Sequence, residues 1–231
     1  EPVLVTHQLG LDIGGASIVA DVSLEVAEGE FVGIIGPNGA GKTSFFNLLS
    51  GLMRPTAGRI VLRGRDVTSA PPFARARAGL GRTFQLSSVF PHLSAFENAR
   101  LAAEASLGGT MRLWRRAASV RRAVERAHWS LGRVGLGDHG SLHAALLSGG
   151  DKRKLELAMV LASDPAIILL DEPMAGVSAE DVPALVEVIR SVHLDEQKTI
   201  LMVEHHIEVV TGLAERIAVM HVGRVLACDT P

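Results

Sequence analysis

The chain has 231 residues, of which 47% are hydrophobic and 21% are charged, a composition that suits a packed globular domain and excludes an intrinsically disordered chain. Its 23 Lys and Arg residues nearly balance its 25 Asp and Glu residues, and this net charge of -2 argues against a protein that binds nucleic acid through a basic surface. The single cysteine, Cys228, cannot form an internal disulfide, and the longest apolar runs, such as Ala166 to Leu170, are too short to cross a bilayer.

The first 35 residues predict short strands joined by turns. No basic start followed by an apolar run opens the chain, so a secretory signal peptide is not expected. Val3–Val5 and the alternating Val22–Val26 flank a Gly14-Gly15 turn, which is typical of a small antiparallel sheet. Phe31–Ile35 is apolar throughout, as expected of a strand that is covered on both faces.

A glycine-rich segment follows this buried strand: Gly36, Pro37, Asn38, Gly39, Ala40, Gly41, Lys42 and Thr43. It matches the P-loop pattern G-x-x-x-x-G-K-[ST] and precedes a predicted helix, Thr43–Ser50, which Gly51 would end. In a P-loop the backbone N–H groups and the positive end of the helix face phosphate oxygens. Lys42 would then reach the β- and γ-phosphates, Thr43 would ligate Mg²⁺, and Ser44 would complete the nucleotide-binding set. A glycine turn without a ligand is disfavoured because all eight positions fit, but the P-loop alone leaves kinases and GTPases open.

The character of the sequence changes near Gln85. Ala, Arg and Leu dominate to about Ala145, and helical spacing across Val120–Val134 predicts a helical insertion. Helices and strands then alternate, which predicts a parallel sheet: a helix at Asp151–Ala162, a strand at Ile167–Leu170, a helix at Val182–His193 and a strand at Ile200–Val203.

Four further motifs follow the P-loop in a fixed order: Arg82-Thr83-Phe84-Gln85, Leu147-Ser148-Gly149-Gly150, Leu169-Leu170-Asp171-Glu172-Pro173 and Val203-Glu204-His205. Together they resemble, over almost the whole chain, the Q-loop, signature, Walker B and switch-histidine segments of ABC transporter ATPases. The resemblance implies an α/β fold with a RecA-like P-loop core, an N-terminal antiparallel β-subdomain and a helical subdomain. The chain would be a single ABC ATPase domain, with the β-subdomain and P-loop core at 1–85, the helical subdomain with the signature at 86–163, and the rest of the catalytic core at 164–231.

The resemblance also implies roles in the hydrolysis of ATP with Mg²⁺. The expected catalytic residues are Lys42, Gln85, Glu172 and His205, and the expected metal ligands are Thr43, Gln85 and Asp171. Asp171 would end a buried strand and hold the metal through water, while Glu172 next to it would point to the opposite side and polarise the attacking water. His205 would hydrogen-bond the γ-phosphate. The alternatives are an ordinary turn at Asp-Glu-Pro, a solvated turn at Glu204–His206 and a surface amide at Gln85.

Ser148 followed by Asp151 predicts the start of a helix, with Ser148 as its N-cap. In the resembled family this helix start faces the γ-phosphate held by another subunit, so Ser148, Gly149 and Gly150 are expected to bind nucleotide only on dimerisation. The second ATPase subunit would be an identical chain or a paralogue.

Three positions depart from the family pattern. Asp151 replaces the usual glutamine and is predicted to fold back on its own helix start as a local cap. Ile13 stands where the family stacks an aromatic ring on adenine, which predicts an apolar contact with the base, although an ordinary strand residue is an equally good interpretation. Ser178 stands near the place where many relatives carry an acidic residue.

A basic segment, Arg112-Leu113-Trp114-Arg115-Arg116, is followed by Arg121, Arg122 and Arg126. A solvated arginine-rich helix face is the favoured interpretation. Contact with lipid headgroups or with an acidic loop of a membrane subunit is the alternative.

Within the family, four segments resemble the importers of branched-chain amino acids and urea: Phe45-Phe46-Asn47 after the P-loop, the long arginine-rich segment after Gln85, Ala175-Gly176-Val177 and Glu204-His205. This implies a cytoplasmic subunit, peripheral on the inner face of the plasma membrane, that powers a separate permease and indirectly serves a solute-binding protein, with no nucleic acid expected. A soluble ABC ATPase that acts on nucleic acid or ribosomes is the alternative, disfavoured because the chain is too short for two cassettes and has no coiled-coil or zinc-bearing insertion. A small-molecule kinase would not need Leu147–Gly150.

Overall fold

A computed structural model describes residues 1–83, 89–107 and 113–231, with the backbone alone described for 113–118. By its internal contacts the chain divides into two units. Unit 1 comprises Glu1–Arg82, Ala166–Glu172 and His193–Pro231, and unit 2 comprises Thr83–Pro165 and Pro173–Val192. The boundaries 1–85, 86–163 and 164–231 drawn from the sequence stay a prediction.

The described residues contain strands and helices in the following order along the chain. The strands are β1 (Pro2–Ile13), β2 (Ala16–Ala27), β3 (Phe31–Ile35), β4 (Ala57–Leu62), β5 (Arg65–Asp66), β6 (Leu80–Arg82), β7 (Ile167–Asp171), β8 (Thr199–Val203), β9 (Arg216–His221) and β10 (Arg224–Asp229). The helices are α1 (Lys42–Ser50), α2 (Pro72–Arg77), α3 (Ala95–Leu107), α4 (Leu113–Arg133), α5 (Gly149–Ala162), α6 (Val182–Glu196) and α7 (Ile207–Leu213).

The first sheet of unit 1 is antiparallel, with the strand order β2-β1-β4-β5. Alternate residues of β2, such as Val22, Leu24 and Val26, are buried while their neighbours face outward, because successive side chains of a strand point to opposite faces. The predicted N-terminal antiparallel sheet is confirmed.

The second sheet of unit 1 carries the P-loop strand in its interior, with the order β10-β9-β3-β8-β7-β6. The strands from β9 to β6 run parallel, and only β10 is antiparallel to its neighbour β9. The predicted parallel sheet is therefore confirmed, with one antiparallel edge strand added through the β9–β10 hairpin. The carboxyl ends of β3, β7 and β8 meet at one edge, and ligands of open α/β sheets bind at this edge.

Helix α1 follows the P-loop and is anchored at both ends. Phe45, Phe46, Leu48 and Leu49 are fully buried, and Gly51 ends the helix in the left-handed conformation at φ 80°. The guanidinium of Arg75 on α2 is buried too and donates hydrogen bonds to four carbonyl oxygens, those of Leu48, Leu49, Thr68 and Ala70. Two of these carbonyls belong to the last turn of α1, where the helix itself supplies no i+4 N–H donors for them. Burial lowers the pKa of Arg75.

Unit 2 is helical, with a small alanine core. Ala103 of α3, Ala123 of α4 and Ala162 of α5 are fully buried and pack together. Helix α4 covers the predicted helical stretch as far as Arg133, one residue short of its predicted end, and begins earlier, at Leu113. Arg121 and Arg122 on α4 are exposed, as a solvated face requires, whereas Arg112 and the side chains of 113–118 lie outside the described residues. Among the helices described here, none is both long and apolar enough to span a membrane.

Candidate functional site

The P-loop connects β3 to α1, and its glycines are required by the backbone. Gly36 has φ 155°, and a Cβ there would collide with the carbonyl oxygen of Met220 on β9. Gly41 has φ 95°, and a Cβ would lie 2.7 Å from the carbonyl oxygen of Ile18. The loop is also pinned by a hydrogen bond of 3.0 Å from the Gly223 N–H to the Ala40 carbonyl. The loop's shape is thus fixed by close packing against β2 and the β9–β10 hairpin.

Lys42 lies at the start of α1, and its ammonium group turns back over the P-loop. Its Nζ donates to the carbonyl oxygens of Gly36 at 2.7 Å and Pro37 at 3.0 Å. Burial lowers the pKa of Lys42, while the carboxylates of Glu172 and Asp171 act in the opposite direction. The charges of the lysine and of both acidic residues therefore influence one another at the same edge of the sheet. An ammonium group has three N–H donors that it can share among several acceptors.

The other members of the predicted P-loop set are arranged around it. Ala40 is buried and Thr43 and Ser44 are half-buried, whereas Asn38 and Gly39 are exposed. Ile13, the predicted adenine contact, is half exposed at the end of β1. Phe31 is buried in β3 against the ring of His193, which keeps that aromatic ring inside the core.

Asp171 ends β7 and is nearly inaccessible, with a side chain that is 1% exposed. Its Oδ2 accepts a hydrogen bond of 2.7 Å from the guanidinium of Arg82 at the end of β6. Desolvation raises the pKa of Asp171, and the Arg82 guanidinium counteracts this by favouring the ionised carboxylate.

Glu172 and His205 form the second polar pair at this edge. Glu172 has φ 48°, an unfavourable conformation for a residue with a side chain, and its N–H donates to the Val203 carbonyl at 2.9 Å. Its Oε1 lies 3.1 Å from Nε2 of His205, whose ring is partly open to solvent. A strained acidic residue held by two contacts beside a P-loop is typical of a functional position.

Glu204 fixes the turn that carries His205. It is 2% exposed, so the alternative of a wholly solvated turn at Glu204–His206 is wrong for its first residue. Its Oε2 accepts from the backbone N–H of His205 at 2.6 Å and of His206 at 3.3 Å. The burial of this carboxylate is explained by these bonds, because a buried charge needs hydrogen-bond partners.

The signature segment lies in unit 2, at the start of α5. Ser148 is the N-cap, and its Oγ accepts the N–H of Asp151 at 3.0 Å, which confirms the predicted cap. A Cβ on Gly149 would lie 3.1 Å from the Gly176 carbonyl, and one on Gly150 would lie 3.0 Å from Oδ2 of Asp181. A side chain at either position would therefore make a tight contact.

The predicted fold-back of Asp151 as a cap is wrong for its side chain. Within the described part of the chain, its Oδ1 is directed to Lys154, at 3.4 Å from Nζ, and its carboxylate does not accept the N–H of Ser148. Lys154, three positions further along the helix, attracts the carboxylate of Asp151, and the side chain of Ser148 alone caps the helix.

Sequence reasoning missed Arg82 and Glu204, although both stand inside motifs that were recognised. Gln85, predicted as a metal ligand, lies outside the described residues. No group of three or more His, Cys, Asp or Glu side chains that could hold a metal ion occurs within residues 1–83, 89–107 and 113–231. A hard cation at this edge would therefore need oxygen ligands from the hydroxyl of Thr43, the carboxylate of Asp171 and a bound substrate.

Comparison with known proteins places this geometry among transport ATPases. The family model described as ABC transporter matches residues 19–175. The branched-chain amino acid transport ATP-binding protein LivG of Salmonella typhimurium is 39% identical over 238 aligned positions, which cover 100% of this chain and 92% of LivG. The lipopolysaccharide export ATP-binding protein LptB of Acidithiobacillus ferridurans is 39% identical over 214 positions, covering 93% of this chain and 84% of LptB.

Solved structures of ATP-binding cassettes share the fold of this chain. The ADP conformation of MJ1267, an ATP-binding cassette of an ABC transporter, matches with a TM-score of 0.87 and 26% identity, over 100% of this chain and 92% of that one. The cassette MJ0796, in a dimeric post-hydrolysis state with ADP and Pi, matches with a TM-score of 0.80 and 26% identity over 98% of each chain.

Proposed function

Because the chain belongs to the ABC transporter family of ATP-binding proteins and is an ABC ATPase, we propose that it binds MgATP at the edge formed by β3, β7 and β8 and hydrolyses it to drive a membrane permease. The observation that carries the assignment is the convergence of Lys42, Asp171 and the Glu172–His205 pair at this edge. These residues follow the ends of three strands: Lys42 follows β3, Asp171 and Glu172 lie at the end of β7, and His205 follows β8, so the site depends on the parallel sheet.

The P-loop residues bind the phosphates. Backbone N–H groups of the loop and the amino end of α1 favour anionic oxygens. Lys42 exchanges its bonds to the Gly36 and Pro37 carbonyls for the β- and γ-phosphates, so that the ammonium neutralises charge that develops during phosphoryl transfer.

Thr43 and Asp171 are the proposed protein ligands for Mg²⁺. Both supply oxygen, which Mg²⁺ prefers, and two protein ligands suffice for an ion that keeps waters and substrate phosphates in its shell. When bound, Mg²⁺ neutralises charge on the phosphate oxygens. Gln85 completes the proposed set.

Glu172 is the proposed base, and His205 orients it. The carboxylate accepts a hydrogen bond from the attacking water, which forms a bond to the γ-phosphorus as the bond from that phosphorus to the bridging oxygen of ADP breaks. The water proton passes to the carboxylate and is released with phosphate. His205, 3.1 Å from Oε1, fixes the Glu172 side chain and lies ready to contact the γ-phosphate.

The proposed second half of the site is contributed by another copy or a paralogue. Ser148, Gly149 and Gly150 begin a helix of 14 residues with free N–H groups at its positive end. The dimeric state described for MJ0796 supports this arrangement. We expect Glu172→Gln protein with MgATP to form dimers by light scattering, with Ser148→Arg in the same background as the matched control that stays monomeric.

The proposed cargo is a branched-chain amino acid or a related small polar solute, moved inward by a permease with a solute-binding protein, and the ATPase would lie on the cytoplasmic face of the plasma membrane. LivG supports this cargo, since its similarity extends over the whole of this chain. LptB, an export protein, supports the opposite direction over less of the chain.

The cargo is tested in vesicles that contain this ATPase and the permease encoded beside it. We expect MgATP-dependent accumulation of labelled leucine, and none with Glu172→Gln. Movement of lipid outward would favour the exporter. Hydrolysis that RNA or DNA stimulates, without a permease partner, would favour a soluble ABC ATPase instead.

A further inference from the structure

Arg82 ends β6 with a buried guanidinium, its side chain being 7% exposed. Nη2 donates to Oδ2 of Asp171 at 2.7 Å, while Nη1 donates to Oδ1 of Asn47 at 2.9 Å and to Oγ of Ser50 at 2.7 Å. Its Cζ lies 5.8 Å from the centroid of the Phe46 ring. The planar guanidinium has fixed donor directions, so these contacts together define a single orientation for Arg82.

The acceptors of Nη1 lie on the helix that begins at the P-loop. Thr43, Asn47 and Ser50 are spaced i, i+4 and i+7, so they follow one another along one face of α1. Arg82 therefore joins the face that carries Thr43 to the carboxylate at the end of β7. The two proposed protein ligands of Mg²⁺ are connected through this one side chain.

We propose that Arg82 is a positioning residue for the magnesium site: it holds the Asp171 carboxylate in one rotamer relative to α1, so that the remaining oxygen is presented to the metal or its water in a fixed direction. The inference rests on the proposed function, which makes Thr43 and Asp171 the magnesium ligands. Side chains that orient a metal-binding carboxylate change metal affinity about 10- to 100-fold when removed.

Two other roles predict different behaviour. If the pair only stabilises the fold, its loss lowers the melting temperature and leaves the magnesium dependence of nucleotide binding unchanged. If the positive charge of Arg82 competes with the metal for Asp171, its loss makes Mg²⁺ bind more tightly.

The test is fluorescent ATP binding without turnover, in the Glu172→Gln background, titrated with Mg²⁺ and repeated in EDTA. We expect Arg82→Met to raise the Mg²⁺ concentration for half-maximal binding about 10-fold or more, while the affinity in EDTA changes less than about twofold. Asp171→Asn alone should give a similar loss. Arg82→Met added to Asp171→Asn should give no further loss, because Arg82 acts through that carboxylate.

Arg75→Lys is the matched control. It alters another buried guanidinium that is attached to α1, but through backbone carbonyls alone. We expect a lower melting temperature with an unchanged magnesium dependence.

Arg82→Lys decides the question should Arg82→Met fail to fold. The ammonium of lysine keeps the positive charge beside Asp171 but cannot bond that carboxylate and α1 at the same time in the way a guanidinium does. We therefore expect the Mg²⁺ concentration for half-maximal binding to rise about threefold or more. Folded Arg82 variants with wild-type or tighter Mg²⁺ dependence, next to a weakened Asp171→Asn, would overturn the inference. An unchanged Asp171→Asn would overturn the magnesium site itself, and the role of Arg82 with it.

Discussion

Replacing Glu204 with alanine is expected to slow ATP hydrolysis while leaving nucleotide affinity almost unchanged. The Glu204 carboxylate is buried and holds the backbone N–H of His205 at 2.6 Å, with a second, longer bond to His206 at 3.3 Å. Without this acceptor the turn is free to relax, and the His205 ring moves away from Glu172. The contacts proposed between the P-loop and the phosphates do not involve this turn.

The size of the effect follows from the shorter of the two bonds. A hydrogen bond to a charged group contributes about 1.5–3 kcal/mol, and the longer bond adds little. If the full energy of this hydrogen bond contributes to the stability of the transition state, its loss lowers kcat about 10- to 150-fold, at 1.36 kcal/mol for each factor of ten. Glu204→Gln keeps an acceptor oxygen at the same place and should recover most of the rate.

The measurement is steady-state phosphate release at saturating MgATP, with ATP affinity and a thermal melt for each variant. A folded Glu204→Ala protein that keeps its kcat within twofold of wild type would refute the positioning argument. Equal losses in both variants would also count against it, since they would point to the charge rather than to the acceptor.

Four further predictions concern the P-loop and the starts of α1 and α5. Gly36→Ala should abolish ATP binding in a fluorescence assay, because its Cβ would meet the Met220 carbonyl; binding at wild-type affinity would show that β9 can move aside. Ser148→Ala should reduce the free energy of unfolding by about 1 kcal/mol in urea titrations, through loss of the N-cap. Asp151→Gln should leave the turnover of ATP within about twofold of wild type, because Asp151 pairs with Lys154. A large rise in turnover would mean that this acid opposes phosphate. Burial lowers the pKa of Lys42 from 10.5, so between the lowered pKa and 10.5 the unfolded chain binds more protons than the folded one. The contribution of Lys42 to the free energy of unfolding therefore rises with pH in that window. Urea unfolding of Lys42→Met across the same window should lack this rise.

Local patterns predicted the elements around the site well. The apolar run at β3, the P-loop and α1 were each recognisable because a buried strand, a glycine turn and a helix end have their own sequence signals. Ser148 as an N-cap depends on residues only three positions away, and it was predictable for the same reason.

Contacts between distant parts of the chain were not predictable in this way. Arg82 and Asp171 are 89 positions apart, and only the pairing of β6 with β7 brings them together. The buried Glu204 looked like one of three polar turn residues, since nothing in its neighbours indicates that it bonds the N–H groups that follow it. Asp151 was misjudged because two local partners compete for it, and sequence alone does not rank them.

The anchoring of α1 by Arg75 has a consequence for how the helix responds to pH. The acceptors of this guanidinium are peptide carbonyls, which do not titrate, so the attachment of the last turn of α1 is independent of the protonation of any acceptor. The contact of Arg82, by contrast, ends on the carboxylate of Asp171, whose pKa is raised by burial. The end of α1 farthest from the P-loop is therefore attached by bonds that do not change with pH, while the link from α1 to β7 depends on one ionisable group.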